Sequence, residues 1–522
     1  MRKSFIAVIA FALLIGIPAA MAQSAACTAV TPSNSAFNAT LLGSGISGAS
    51  GSPNGFVNVN LSLNGNQATV TASSLGLSNI TGISLFQGQP GTSNAMLIQT
   101  FSNISNNFVN GQFTGTMTLS SALISQIQAN PSNYFFVVTT PDFPNGAVAG
   151  ALVPTRQQLI TGVLPAQSST SSSGAFLLSI GPTNGTGNVT LNYDIFLNGL
   201  GNGTITSLQL LPAAGITPLL TLNNVTVVNN RIVGSTQIPA SLAQQILASP
   251  CSFSLGLNGA ILTNGSLIAP LAASNEVFLA VVGSAQGANG SNFKTDVSIF
   301  NNSALGVTTS SANTFVQFFP TGTTNSSASV TAQSVTALSI PARGTTTLRD
   351  VTSSLFNGSI SGIGAMRILS GSSVFANARV YNDQTASGRG TFGQFEPGMT
   401  RSQAMQQGVL VGVGNVTANA SLANGQSFRT NVGFFNPNDT STTVALEIRD
   451  THGAVIGTQM ITLGPWMHTQ VPLAGANGIF SGITGDTGTS SVFFLSGNPI
   501  FAYASIVDNV SGDASFVTPS AQ

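Results

Sequence analysis

Histidine is the side chain that most often serves as a general base or a zinc ligand, and this chain of 522 residues has two, His452 and His468. A zinc site needs three or four ligands, and a Ser-His-Asp site needs a nucleophile and a carboxylate beside its histidine. His468 ends the segment Trp466-Met467-His468, which aligns with Arg343-Gly344-Thr345 of a repeat described below. We therefore expect a structural role for His468 at the edge of a strand.

Carboxylates are the second group that could do chemistry, as a glycosidase pair or as calcium ligands. Most candidates lie in turns rich in Asn, Gly and Thr, where Asp usually bonds to the backbone. Asn382-Asp383 and Asp508-Asn509 recur at matching places after a strand, but a calcium site needs more than one carboxylate. We expect turn caps, no catalytic residue, and no metal or other cofactor. The candidates are Asp439, Glu447, Asp450, Asp486, Asp508 and Asp513.

Aromatic side chains could form a platform for sugar rings if they were exposed. Each tryptophan and tyrosine of this chain lies inside or beside an apolar run, which favours burial in a core. The sequence therefore argues against a platform built from these two residue types. They are Trp466, Tyr134, Tyr193, Tyr381 and Tyr503.

Charge is sparse, with 13 basic and 13 acidic side chains in the chain. No basic stripe exists to follow phosphates, which excludes nucleic acid as an expected partner. The segment from Gln23 to Asn275 holds only Asp142, Arg156, Asp194 and Arg231, and the charge density rises from Glu276 onward. This change predicts a domain boundary at Glu276.

The N-terminus has the pattern of a signal peptide, residues 1–22. Arg2 and Lys3 precede an apolar run from Phe5 to Ile17, and Ala20-Met21-Ala22 is a cleavage site. We expect cleavage near Ala22 and a product that is secreted, periplasmic or on the cell surface. No later apolar stretch reaches the ~18 residues of a transmembrane helix, so no transmembrane segment is expected in the mature chain.

Cys27 and Cys251 are the two cysteines. An even number in an oxidising compartment predicts a Cys27–Cys251 disulfide. Two unpaired thiols are the alternative.

Two internal duplications organise the chain. Six residues reappear 119 positions later, and Ser121–Ala129 and its counterpart have helical periodicity ended by Asn-Pro or Ser-Pro. In the C-terminal half, residues 293–301 match 428–436, and 374–383 match 500–509. The pairs of the first duplication are Ile127 and Ile246, Ala129 and Ala248, Pro131 and Pro250, Asn145 and Asn264, Gly146 and Gly265, and Leu152 and Leu271.

The predicted fold is all-β, with tandem antiparallel β-sandwich or β-barrel-like units, each of the first two with one short helix. Short alternating runs support this, and Gly187–Tyr193 echoes Gly55–Leu61. We expect the units to fold separately. Their boundaries are 34–154, 175–272, 276–398 and 409–518, with a linker at 155–174 and a hinge at 399–408.

The first unit contains the segments Asn130-Pro131, Tyr134-Phe135, Thr139-Thr140, Phe143–Gly146 and Gly150–Leu152. Through these segments it resembles the chordin-type (CHRD) domain, a β-rich extracellular module. The resemblance covers about residues 37–154, and the second unit resembles the family only through the first. That family places histidines and an acidic-basic pair where this chain has Ile83–Phe86, Val137–Thr140 and Ala147–Ala149, so a polar site built on them would be absent here. From Glu276 onward the chain looks like paired immunoglobulin-like sandwich units of bacterial exported proteins. The segments that carry this second resemblance are Phe293–Val297 and Phe428–Val432, together with Asn382-Asp383 and Asp508-Asn509.

These features predict an exported, non-catalytic protein with a structural, adhesive or cell-surface or matrix interaction role. Its expected partner is an extracellular protein or a glycan surface. A carbohydrate- or matrix-binding module is the alternative, and a hydrolase is the remote one.

Overall fold

A computed structural model describes residues 36–521 apart from internal gaps, and every strand pair of its sheets is antiparallel. The predicted all-β fold is confirmed. The gaps are 50, 105–106, 109–110, 155–157, 165–173, 184–186, 198–201, 213–216, 229, 259–266, 271–274, 288–289, 303–310, 323–333, 356–361 and 417–426.

The first unit is one sheet in the order β5-β4-β7-β8-β1-β2-β3-β6, with β9 beside β1. It wraps around a core of aliphatic and aromatic side chains. Its elements are β1 (Ala36–Leu42), β2 (Phe56–Asn64), β3 (Gln67–Leu75), β4 (Gly82–Gln87), β5 (Met96–Ser102), β6 (Gln112–Thr118), α1 (Ser121–Ala129), β7 (Tyr134–Thr139), β8 (Val148–Ala151) and β9 (Val153–Pro154).

The second unit repeats this strand order in two sheets, β14-β13-β16-β17 and β10-β11-β12-β15. Helix α2 begins 119 residues after α1, as do β15 after β6, β16 after β7 and β17 after β8, so the first duplication is structural. Its elements are β10 (Gln158–Leu164), β11 (Gly174–Thr183), β12 (Asn188–Leu197), β13 (Gly203–Pro212), β14 (Leu220–Val227), β15 (Arg231–Pro239), α2 (Ala240–Ala248), β16 (Phe253–Asn258) and β17 (Leu267–Pro270).

The two predicted helices have the bounds and ends that the sequence indicates. The Ser120 side chain accepts a hydrogen bond from the Leu123 amide, which caps the first helix, and Ile124 and Ile127 face the core. A short 3₁₀ helix that begins at a proline follows each of them. The prediction of one short helix in each of the first two units is confirmed.

Two sequence interpretations of this region are wrong. The predicted linker, 155–174, contains strand β10, which pairs with β11 as β1 pairs with β2. The similarity of Gly187–Tyr193 to Gly55–Leu61 would make β12 the counterpart of β2. In the structure β12 is the counterpart of β3, because β12 pairs with β15 as β3 pairs with β6. The alternating pattern misleads because every half-buried strand shares it.

The third and fourth units are two-sheet sandwiches of matching topology. The third has sheets β21-β20-β23-β18 and β22-β19-β24-β25, and in the fourth the long strand β31 runs through both sheets. Their elements are β18 (Asn275–Gln286), β19 (Asn292–Asn301), β20 (Ser311–Pro320), β21 (Ser334–Pro341), β22 (Thr345–Leu348), α3 (Val351–Leu355), β23 (Gly362–Ser370), β24 (Val374–Gln384), β25 (Gly390–Pro397), β26 (Met405–Val413), β27 (Phe428–Phe435), β28 (Thr442–Arg449), β29 (Val455–Leu463), β30 (His468–Pro472), β31 (Ser490–Asp508) and β32 (Ala514–Val517).

The second duplication is visible in backbone detail. Phe300 pairs with Phe375 in the third unit as Phe435 pairs with Phe501 in the fourth. Arg343 and Trp466, aligned in the sequence, both adopt a left-handed conformation, with φ of 58° and 51°. The same tight turn therefore leads into β22 and into β30.

The predicted hinge, 399–408, makes several contacts with the third unit. Met399 exchanges two backbone hydrogen bonds with Phe278, and β26 already begins at Met405. Arg401 forms an ion pair with Glu276. The polar composition of this segment suggests mobility, but its polar groups find partners in the neighbouring sheet.

The units also share buried side chains. One cluster joins Leu177 of the second unit and Phe278 of the third to Phe435 of the fourth, and another joins Phe56 of the first unit to Ala445 of the fourth. Separate folding of four units, as predicted, would expose these clusters. Within the described segments, no helix has the length and apolar character needed to cross a membrane.

Candidate functional site

The structure places His468 in the junction between the third and fourth units. It begins β30, an edge strand as predicted, but its side chain is fully buried because the third unit covers that edge. Nδ1 lies 2.6 Å from the Thr321 hydroxyl, and Nε2 lies 2.9 Å from the Tyr503 hydroxyl. The Thr321 contact joins the third unit to the fourth, whereas the Tyr503 contact lies within the fourth unit.

The hydrogen bonds of Tyr503 assign the tautomer of this histidine. Tyr503 donates its proton to Oε1 of Gln470 at 2.7 Å, so its oxygen accepts a proton from Nε2 of His468. Nδ1 then accepts from the Thr321 hydroxyl, and the ring is neutral. Burial lowers the pKa of His468 to about 3, which is consistent with this assignment.

A buried ion-pair cluster lies in the same junction. Glu276 accepts hydrogen bonds from Arg367 at 2.6 Å and from Arg401 at 2.7 and 2.9 Å. Both guanidinium groups also lie over the ring of Trp466, at 5.3 and 5.4 Å. Burial alone would raise the pKa of Glu276, but the two arginines outweigh it and lower the pKa to about 2.

Glu396 is a buried carboxyl group that has no cationic partner among the residues that the structure describes. Strand β18 has a bulge between Leu279 and Val282, and the Val281 amide donates to Oε1 of Glu396 at 2.8 Å. Oε2 has no hydrogen-bond partner among the described residues. Burial raises the pKa of Glu396 to about 8, so this group is mostly protonated at neutral pH.

The remaining candidate carboxylates do not form a reactive cluster. Asp450 accepts from the His452 and Ala454 amides, and Asp508 accepts from the Val510 and Ser511 amides, as expected of turn caps. Glu447 pairs with Arg449, Asp439 is half-buried, Asp486 is exposed in a loop, and the Ala514 amide donates to Asp513.

The repeated Asn-Asp positions, for which the sequence argued against calcium binding, form hydrogen bonds and an ion pair with other protein groups. Asp383 pairs with Lys294 and caps Thr385, and these hydrogen bonds lower its pKa to about 2. Asn382 accepts from the Asn292 amide, and Asn509 accepts from Arg429. In the described part of the chain, no group of three or more His, Cys, Asp and Glu side chains could hold a metal ion.

The predicted burial of the large aromatic residues holds for Trp466, Tyr134 and Tyr503, while Tyr193 and Tyr381 are half-buried. The predicted disulfide is not described, since Cys27 lies outside the described residues. The other cysteine, Cys251, lies in the 3₁₀ helix after α2.

A small cavity between the second and third units is lined by Asp194, Arg231 and Arg367, and Asp194 pairs there with Arg231. Two larger grooves lack ionisable groups. One of about 300 Å³ lies between the first and fourth units, lined by Leu75, Gly76, Ala445, Gln459 and Met460 among others, and none of its lining residues is ionisable. A second, of about 230 Å³, lies beside β29 in the fourth unit and is equally uncharged.

The strongest candidate for a functional site is the outer face of the sheet β22-β19-β24-β25. We call Phe300, Phe375 and Phe395 on this surface the phenylalanine face. Phe375 is 59% exposed and Phe395 is 62% exposed. The rings of Phe300 and Phe375 lie nearly parallel, at 4° and 6.5 Å between centroids.

Polar side chains surround the phenylalanines on the same face. Arg379 lies over the Tyr381 ring at 4.9 Å, and the Tyr381 hydroxyl donates to Asp296 at 3.1 Å. Asn377, between Phe375 and Arg379 on β24, is exposed. These contacts position the polar groups around the exposed phenylalanines, an arrangement that suits docking better than catalysis.

Sequence reasoning missed this face because it considered only tryptophan and tyrosine. The signal was present in β24, where Phe375, Asn377, Arg379 and Tyr381 occupy alternate positions and so share one side of the strand.

Comparisons with known proteins add little. No family model matches the chain, and no curated protein is similar to it. Among solved structures, a mutant of Salmonella alpha-2-macroglobulin is 10% identical over 89% of this chain and 31% of its own, with a TM-score of 0.15. Dimeric latent PorU from Porphyromonas gingivalis is 10% identical over 84% of this chain and 40% of its own, with a TM-score of 0.14. The chain thus spans less than half of either protein.

Proposed function

We propose that this protein is an exported, non-catalytic β-protein with a structural or adhesive role at a cell surface or in an extracellular matrix. The phenylalanine face is its contact surface. Two phenylalanines exposed by 59% and 62% on one sheet face are the observation that carries this proposal. Large exposed aromatic side chains cost solubility, and on a soluble protein a cluster of them usually marks an interaction site.

The use of the ionisable groups supports a non-catalytic role. His468, Glu276 and the arginines around Glu276 hold the third unit against the fourth. Asp450 and Asp508 hold turns. A hydrolase needs a nucleophile and a base, or two carboxylates, in one cleft. The ionisable groups named here instead stabilise the junction between units and the turns.

The test is surface binding by the mature protein. Wells coated with extracellular-matrix proteins, a glycan array and wells coated with the protein itself are the probes. The variant F375S/F395S should lose binding at least tenfold. The control V411S/V510S, which changes two exposed apolar residues away from this face, should bind as the wild type does. The proposal would be contradicted if F375S/F395S bound these surfaces as well as V411S/V510S does, or if the wild type turned over a substrate.

A carbohydrate-binding module is the second candidate. It is favoured by the parallel rings of Phe300 and Phe375 beside the polar Asn377, because sugar rings stack on aromatic faces while their hydroxyl groups bond to nearby polar groups. The glycan array distinguishes it, since a specific glycan should bind the wild type and not F375S/F395S.

A further inference from the structure

The phenylalanine face has a counterpart in the fourth unit, and there it is an interface. The register of the strands equates Phe300 with Phe435 and Phe375 with Phe501. Phe395 pairs with Arg379 as Phe516 pairs with Ser505, so Phe395 and Phe516 are equivalent as well. All three phenylalanine positions are therefore common to the two sandwiches.

Ring geometry is also the same in both units. Phe435 and Phe501 lie 6.4 Å apart at 8°, against 6.5 Å and 4° for Phe300 and Phe375. In the fourth unit, however, these rings are buried, with exposures of 0% for Phe435 and 2% for Phe501.

The fourth unit uses this face to dock on the third unit. Phe435 packs at 6.0 Å from Phe278 and 5.3 Å from Phe319, both on the opposite sheet of the third unit. Arg401 lies over the Phe278 ring at 5.1 Å. This junction therefore combines stacked phenylalanines with arginine on an aromatic ring.

From this equivalence we propose that the phenylalanine face of the third unit binds a second copy of this chain, face to face across a two-fold axis. This extends the proposed adhesive function, on which it rests, by naming the partner. The face presents both components of the existing junction, exposed phenylalanines and an exposed arginine, Arg379. A two-fold axis that lies in the interface and crosses β24 at Asn377 sets Phe375 of one copy over Arg379 of the other.

In a head-to-tail stack, the phenylalanine face would need a sheet like the one that receives Phe435, and among the described residues both sheets of that kind already make contacts within the chain. The sheet of the third unit that receives Phe435 is already covered. The equivalent sheet of the fourth unit, around Ala445 and Leu495, is covered by Phe56 of the first unit. These contacts favour the pairing of two phenylalanine faces over a head-to-tail stack.

The size of the face predicts a weak contact. Four strands spaced at about 4.8 Å and about eight residues at about 3.4 Å each give roughly 500 Å² per copy, or roughly 1,000 Å² in total, the lower limit for a specific interface. Such a contact dissociates readily in solution, and many copies on two surfaces would hold together through avidity.

Sedimentation equilibrium of the mature protein from 10 µM to 1 mM tests the proposal. We expect a monomer–dimer equilibrium whose dissociation constant rises at least tenfold in F375S/F395S and is unchanged in V411S/V510S. Circular dichroism of both variants checks the fold. A wild type that stays monomeric at 1 mM, or a dimer that F375S/F395S leaves intact, would overturn the proposal.

A photo-cross-linking amino acid at Asn377 gives an independent readout. In the proposed dimer it lies at the axis, so irradiation should join two copies through peptides that contain residues 374–397. Cross-links to any other surface would refute the two-fold arrangement. If F375S/F395S lost glycan or matrix-protein binding while the wild type was monomeric, the face would keep its adhesive function and self-association would be wrong.

Discussion

Replacement of Glu396 by glutamine should remove a loss of stability that we expect as pH rises toward mildly alkaline values. The folded protein holds this carboxyl with a pKa of about 8, whereas the unfolded chain holds it near 4.5. Between these values the folded state binds one more proton than the unfolded state, so stability falls as pH rises from about 4.5 and levels off above about 8. The amide of E396Q cannot ionise, so this dependence disappears.

Measurements between pH 6.5 and 8 isolate the contribution of Glu396 to the unfolding free energy. His468 acts in the opposite direction, since its pKa is about 3 when folded and 6.5 when unfolded, so its contribution is lost as pH falls below 6.5. Above pH 6.5 the contribution of His468 is nearly constant. At about 1.36 kcal/mol for each unit of pKa difference, Glu396 then lowers the unfolding free energy by about 1 to 2 kcal/mol across this pH range.

Fluorescence of Trp466 is the assay, because this single tryptophan lies in the junction between the third and fourth units. Urea unfolding of that junction, followed at several pH values, should show the slope in the wild type and none in E396Q. The control E447Q makes the same change at a buried glutamate that pairs with Arg449. This variant should have a lower unfolding free energy than the wild type but the same dependence on pH. A flat wild-type profile, or an unchanged slope in E396Q, would refute the reasoning.

Three further predictions concern His468, Glu276 and the candidate catalytic residues. In the E396Q background, where the opposing contribution of Glu396 is absent, H468Q should flatten the loss of junction stability between pH 6.5 and 4.5 in the same urea assay, because the glutamine side chain stays neutral; an unchanged loss in that background would count against a neutral buried histidine. E276A should lower the unfolding free energy of the junction by about 3 to 5 kcal/mol, since it leaves Arg367 buried without a counter-charge, while D142A at an exposed site should change little. Mature protein assayed on glycoside, peptide and ester substrates should show no turnover that D450A, H468A or D508A abolishes, and one such loss with an intact fold would indicate an enzyme.

Local pattern predicted the elements of this fold well. The apolar spacing and the Asn-Pro end of Ser121–Ala129 define the first helix, and the 119-residue offset places the second. These signals lie within a few residues of one another or within a repeat, so a sequence displays them directly.

The junctions could not be predicted in this way. Glu276 meets Arg367 and Arg401 at separations of 91 and 125 residues, and the polar segment around Arg401 therefore suggested a hinge. Periodicity assigns a side chain to one face of a strand, but it does not say whether another unit covers that face. Phe375 and Phe501 have the same pattern, and one is exposed while the other is buried.

The residues around the phenylalanines differ between the two equivalent faces, and this difference is related to whether another unit covers the face. Where the fourth unit has Trp466, His468 and Tyr503, the third has Arg343, Thr345 and Asn377. A face that stays covered gains from every apolar contact, whereas a face that is exposed between encounters must remain soluble without its partner. The third unit keeps the phenylalanines and replaces their surroundings with polar side chains. Exposed phenylalanines among polar side chains are what reversible docking requires. This composition distinguishes the face of the third unit from the face of the fourth, which is permanently covered within the chain.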